Sequence, residues 1–174
     1  MKLLSVCLFA AAVAVPVSAA QGTSPAAGTK PAAGAKPAAG QKPATTGKPR
    51  TIEITGDDKM KFDKEEIVAK SGETIRIVLK AVGQMPKTIM AHNFVLLKPG
   101  VDAVEFNKAA FNARETGFIP PDKKDDVIVA TALASAGETV EVTFKAPAKP
   151  GSYNFICSFP GHFAMGMRGK FVVK

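Results

Sequence analysis

An all-β fold, built as an antiparallel β-sandwich with one short inserted helix, is predicted for residues 50–174 by three observations. Short runs alternate apolar and polar residues, as strands with one buried face do. Clusters of Gly, Pro, Asp and Lys separate those runs at close intervals: "TGDDK", "KSGE", "PPDKKDD", "SAGE" and "APAKPGS". One stretch alone changes to helical spacing.

In chain order, the first segment is not part of that fold. Lys2 precedes an apolar run from Leu3 to Val15, and Val17-Ser18-Ala19 offers small residues for cleavage, so residues 1–20 read as a secretory signal. The apolar run is shorter than the roughly 20 residues a bilayer span needs, so no integral membrane span is expected. Cys7 faintly suggests a lipoprotein box, but almost no apolar region precedes it. Residues 21–49 repeat a KPAAG theme with Lys-Pro at 30, 36, 42 and 48 and hold no aromatic or bulky aliphatic residue. Such a segment cannot bury enough surface to offset its ordering entropy and is expected to be a linker.

"TIEIT" then alternates as a strand, and "ETIRIVLK" puts Ile75, Ile77 and Leu79 on one face. "TVEVTF" does the same with Val140, Val142 and Phe144; "SYNFIC" alternates Tyr153, Phe155 and Cys157; "KFVVK" closes the chain. The helical exception is "DAVEFNKAAFNARET", with Asp102 near its start and Val104, Phe106, Ala109, Ala110 and Ala113 spaced for one apolar face.

Charge separates the tail from the domain. Lys2, Lys30, Lys36, Lys42, Lys48 and Arg50 supply six positive charges with no acid before residue 51, so of the net +8 only +2 remains for residues 51–174. The basic character therefore belongs to the tail. The domain shows no basic patch interleaved with aromatics, and nucleic acid is not expected as a partner.

Chemistry concentrates in "CSFPGHFAMGM", residues 157–167. Beyond the signal segment, Cys157 is the only cysteine, and in an exported protein an unpaired thiol implies intermolecular pairing, reactivity or a bound metal unless it is simply buried. Pro160-Gly161 can turn the chain so that His162 returns toward the thiol. The chain has only two histidines, and the other, His92, lies in "TIMAHNFVLL". Two imidazoles, a thiolate and a weak thioether suit a copper ion in two oxidation states; zinc is the competitor, but its structural sites usually carry more Cys or His and no thioether.

These segments resemble the blue-copper cupredoxin family, in particular azurin and auracyanin, over essentially all of residues 51–174. "CSFPGHFAMGMRGKFVVK", "MPKTIMAHNFVL" and "GDDKMKFDKEEIVAKSGETIRIVL" carry the resemblance, in the family's order. The resemblance implies a Greek-key sandwich of about eight strands with copper held by loops at one end. It also implies the ligands His92, Cys157, His162 and a methionine. The azurin form of the loop would place that methionine at Gly166; the longer auracyanin form matches Met167-Arg168-Gly169, which favours Met167 over Met165. Asn93, beside His92, is implied to bond across to the Ser158 region and lock the two ligand loops together. Two departures stand out: the cysteines of azurin's disulfide are missing, and Ala91 replaces the glycine before the first ligand histidine.

The function implied is that of an exported, periplasmic or otherwise secreted, monomeric carrier of single electrons. It would work with a redox protein partner such as a c-type cytochrome or an oxidase or reductase. Copper storage or delivery is the alternative. An enzyme is not expected, because both histidines are taken by the metal and no carboxylate pair or nucleophile–histidine arrangement stands out. The His162 ring is expected to reach the surface amid an apolar rim of Met60, Met85, Ile89, Met90, Phe159 and Met165, each of which could equally be core.

Overall fold

The computed structural model describes residues 48–174. They form eight strands and one α-helix: β1 Arg50–Asp57, β2 Glu66–Ala69, β3 Thr74–Val82, β4 Val95–Leu97, α1 Ala103–Ala110, β5 Val127–Ala130, β6 Thr139–Lys145, β7 Gly151–Ile156 and β8 Arg168–Val173. The signal and linker expected over residues 1–20 and 21–49 lie outside the described residues, apart from Lys48 and Pro49.

Two sheets make the sandwich, one ordered β1-β3-β6 and the other β2-β8-β7-β4-β5. The pairing is mixed rather than wholly antiparallel, because β1 runs parallel to β3 and β2 parallel to β8. The crossing of β2 explains the first case. The chain leaves β1, places β2 in the facing sheet and returns, so β3 lies beside β1 in the same direction. Alternation in a sequence reports which face is buried but not strand direction.

The alternating residues meet between the sheets. Ile52, Ile54, Ile75, Ile77 and Leu79 pack with Ile67, Phe94, Leu96, Phe155 and Phe171. Rings reinforce this layer: Phe94 stacks on Phe155 at 5.1 Å, and Phe62 lies 5.6 Å from Phe155. Each fully buried side chain of this size contributes about 1.5–3 kcal/mol from surface removed from water.

A second cluster explains the helix. Val95, Leu97 and Ile156 project from the other face of their sheet and are covered by Phe106 and Phe163. All three residues of β4 are consequently buried, which is why "FVLL" reads as a continuous apolar run. Asp102 caps α1, its carboxylate accepting from Val104 N–H at 2.8 Å and Glu105 N–H at 3.3 Å. The helix stops at Ala110, earlier than the apolar spacing predicts, and Val104 faces solvent at 48% exposure. Beyond it the chain tightens into a 3-10 turn, Arg114–Thr116, closed by Gly117 in the left-handed region at φ 67°. That turn redirects Ala113 and Phe118 inward, where an uninterrupted helix would continue along the sheet surface.

Candidate metal centre

β7 ends at Ile156, so Cys157 is the first residue of the following loop, and it is fully buried. The loop folds back on itself. His162 N–H donates to Phe159 O at 3.1 Å, Met167 N–H to His162 O at 2.9 Å, and Cys157 N–H to Met167 O at 3.0 Å. Gly161, at φ 86°, supplies the left-handed residue that the Pro160-Gly161 turn requires. His162 is thereby returned toward the thiol, its Nδ1 lying 3.4 Å from Cys157 Sγ.

His92 arrives from another part of the chain. It exchanges backbone bonds with Ala134, donating at 2.7 Å and accepting at 2.8 Å, which places its ring opposite the Cys157 loop. His92 Nδ1 and His162 Nδ1 are 3.2 Å apart. One donor atom from each of His92, Cys157 and His162 falls within 4.8 Å of the others, and all three residues are buried. Sequence positions 70 apart thus converge on one point.

The two methionines of the loop have different surroundings. Met167 is fully buried, while Met165 is 53% exposed. A Cβ added at Gly56 would lie 2.7 Å from Met167 Cε and 3.0 Å from His92 Cγ, so both side chains rest against the same point of β1. The glycine is required there by close approach.

Asn93 ties the two segments together. Its Nδ2 donates to Ser158 Oγ at 2.9 Å and to Gly117 O at 3.2 Å, and its Oδ1 accepts the Ser158 N–H at 2.8 Å. Asn93 and Ser158 are fully buried, so these bonds satisfy groups that no solvent reaches.

Electrostatically the centre is a pocket of neutral donors. Burial pushes the Cys157 thiol up to about 12, against backbone N–H groups of Asn93 and Phe159 that favour the thiolate. Burial, helped by the neighbouring His92, takes His162 down to about 4. His92 is lowered by burial too, while the Asp57 and Asp58 carboxylates oppose the shift. Converging lone pairs on a thiol and two uncharged imidazoles, with no cation among them, suit a metal ion that displaces the thiol proton. The soft sulfur and the two imidazoles fit copper.

Two expectations are corrected. The His162 ring does not reach the surface: the residue is 1% exposed, because the Phe159 ring lies over it at 4.8 Å and Phe159 packs in turn on Phe118 at 5.0 Å. The apolar rim is smaller than expected. Met85, Ile89 and Met165 are exposed, Met60 is half-buried, and Met90 and Phe159 are buried.

Sequence reasoning passed over Gly56 and Asp58, reading "TGDDK" only as a break between strands, and gave Lys61 no role. Only the threading of β1 against the ligand loops gives those residues a role. Phe118 was missed as well; the sole signal in the sequence was a bulky residue beside Gly117.

The copper-binding plastocyanin/azurin family model matches residues 50–174. Auracyanin-A of Chloroflexus aurantiacus is 38% identical over 125 residues, 71% of this chain and 74% of that protein. Azurin-1 of Alcaligenes xylosoxydans xylosoxydans is 39% identical over 124 residues, 68% of this chain and 93% of its own length. Among solved structures, auracyanin A, described as a "blue" copper protein, aligns with a TM-score of 0.63 at 38% identity, covering 73% of this chain and all of that one.

Proposed function

This chain belongs to the plastocyanin/azurin family of copper-binding proteins, and on that premise we propose that it is an exported carrier of single electrons between redox proteins. His92, Cys157, His162 and Met167 would hold one copper ion. The convergence of three buried donors from two loops, locked by the Asn93–Ser158 bonds, carries this reading. Bound copper supplies a one-electron couple.

The chain's own residues do the rest. His92, Cys157 and His162 bind; the buried, unbranched Met167 side chain is the thioether beside His92, whereas Met165 points into solvent. Asn93 and Ser158 orient the two loops. Amide N–H groups of Asn93 and Phe159 stabilise negative charge on the sulfur. Phe159 and Phe118 exclude water from the His162 side. A centre held so firmly has little to rearrange when its charge changes, which favours rapid electron exchange. Delivery of copper would call for exposed, exchangeable ligands, and these are buried.

The partner is proposed to be a redox protein, such as a c-type cytochrome, that meets the exposed Met85, Ile89 and Met165 in a small, short-lived interface. The signal segment supports export to a periplasm or beyond, with the domain working as a monomer. None of the helices in the described residues is long and apolar enough to cross a membrane. The test is the visible spectrum of purified protein titrated with Cu(II), followed by a redox titration. The reading expects one copper per chain, intense thiolate-to-copper absorption and a reversible one-electron wave. A colourless protein that holds copper only in its reduced state would replace the carrier with a trafficking protein.

A further inference from the structure

Between β1 and β2 lies a turn, Asp57–Lys61, that contacts both ligand-bearing segments. It begins at Asp57, the last residue of β1 and the neighbour of Gly56, which packs against Met167 and His92. The turn is held rigid from within. The Asp57 carboxylate accepts the N–H groups of Lys59 and Lys61, each at 3.1 Å, and Met60 N–H donates to Asp57 O at 2.9 Å. Met60 sits in the left-handed region at φ 58°, a conformation unfavourable for a non-glycine residue that persists here because its neighbours are tied.

Two side chains reach out of this turn to different loops. Asp58 Oδ2 accepts the N–H of Gln84 at 2.8 Å, in the segment that leads to His92. A Cβ on Gly83 would land on that same carboxylate, so the contact is close-fitted. Lys61 Nζ donates to the Met165 carbonyl at 2.5 Å, in the loop between His162 and Met167. A Cβ on Gly166 would lie 2.6 Å from that ammonium. The loop's own amides bond to the carbonyls of Phe159, Gly161, His162 and Phe163, leaving the Met165 carbonyl to Lys61 among the described residues.

We propose that the Asp57–Lys61 turn is a clasp, with Asp58 and Lys61 as positioning residues that hold the two ligand loops against β1 beside Met167. Its effect on the metal rests on the copper reading; the clasp itself does not. The Asn93–Ser158 bonds join the loops to each other, and the clasp joins both to the sandwich. Each of its two outward bonds involves a charged group, the stronger kind of hydrogen bond.

Amide hydrogen exchange on the metal-free protein reads the clasp directly, in Lys61→Met, Asp58→Ala and Lys61→Arg. Lys61→Met is expected to speed exchange of Met165 and Gly166 about tenfold while β3 and β7 keep their protection. Asp58→Ala should do the same at Gln84. In the copper-loaded protein, Lys61→Met should also shift the reduction potential and the relative intensities of the visible bands, at low salt and at about 1 M salt alike, and Lys61→Arg should restore both. Unchanged exchange at all three amides would overturn the clasp. A potential shift that vanished in high salt, with the bands unaltered, would also overturn it, leaving Lys61 as a surface charge. If the parent protein took up no copper, the copper reading would fail on that spectrum while the exchange data still decided the clasp.

Discussion

Two segments deliver potential metal donors to one point, and they are built differently. Residues 157–167 are largely self-supporting: their amides bond within the loop, Cys157 and Met167 are fully buried, and the adjoining strands β7 and β8 pair from Gly151↔Val173 to Ile156↔Arg168. Residues 83–89 are exposed throughout, and only at Met90 does the chain enter the interior. Their order is borrowed from outside, through Asp58 on Gln84, Lys87 on Glu138 at 2.8 Å, and the bridge of His92 to Ala134. One half of the centre is bonded mainly within its own loop, with ties outward through Asn93 and Lys61, and the other is ordered mainly by residues remote in sequence.

Removing the donor at the heart of the self-supporting loop should have the largest effect. Cys157→Ser is expected to abolish the intense visible absorption, while circular dichroism shows the sandwich still folded, since serine replaces one buried side chain of similar shape at the edge of an otherwise unchanged core. An equally coloured variant would place the metal elsewhere.

Protons should weaken the junction of the two segments next. His162 and His92 both have folded values below their ordinary value of 6.5, His162 at about 4. Between those pH values the unfolded chain binds protons that the folded chain refuses, so stability falls as pH falls. Chemical denaturation of the metal-free protein should therefore show a midpoint that is highest above pH 6.5 and declines toward pH 4. A flat profile would mean that the imidazoles open to solvent at little cost.

Cutting the tie between the segments sharpens the comparison. Asn93→Ala leaves the buried Ser158 N–H without its acceptor and should cost about 1–3 kcal/mol in urea unfolding. The loss of order should be greater on the His92 side than within residues 157–167, a contrast readable by hydrogen exchange. Equal loosening of both would erase the distinction.

Met167→Leu nearly conserves volume and should cost less than about 1.5 kcal/mol, yet raise the reduction potential, because losing a donor from the set penalises the oxidised ion, which takes more ligands than the reduced one. Met165→Leu should change neither. The reverse pattern would make Met165 the ligand.

The smallest structural effect is expected from Ile89→Lys, at 59% exposure in the borrowed segment. Stability should stay within about 0.5 kcal/mol and the spectrum should not change. Electron transfer to a small soluble cytochrome, followed by stopped flow, should slow. An unaffected rate would move the docking surface away from Met85, Ile89 and Met165.

Much of this was legible in the residues alone. Alternation in "TIEIT", "ETIRIVLK" and "TVEVTF" reports the buried face because side chains on a strand alternate, and Ile75, Ile77 and Leu79 are indeed fully buried. That His92, Cys157 and His162 could meet was legible as well, since a chain with two histidines and, besides Cys7, one cysteine offers few combinations. Asn93 was reached through resemblance, and its bonds to Ser158 are present. Strand direction was decided only by tertiary structure, because the crossing of β2 to the facing sheet makes β1 and β3 parallel and leaves no trace in the period. Tertiary packing likewise put Phe159 over His162, sank Met90 below the surface and turned Val104 outward. An apolar side chain states a preference for burial, but which of several such side chains finds room depends on what lies across from it. Lys61 shows the converse: nothing local distinguishes it from Lys59 in the same turn, and its bond to Met165 spans 104 positions of sequence that only the fold brings together.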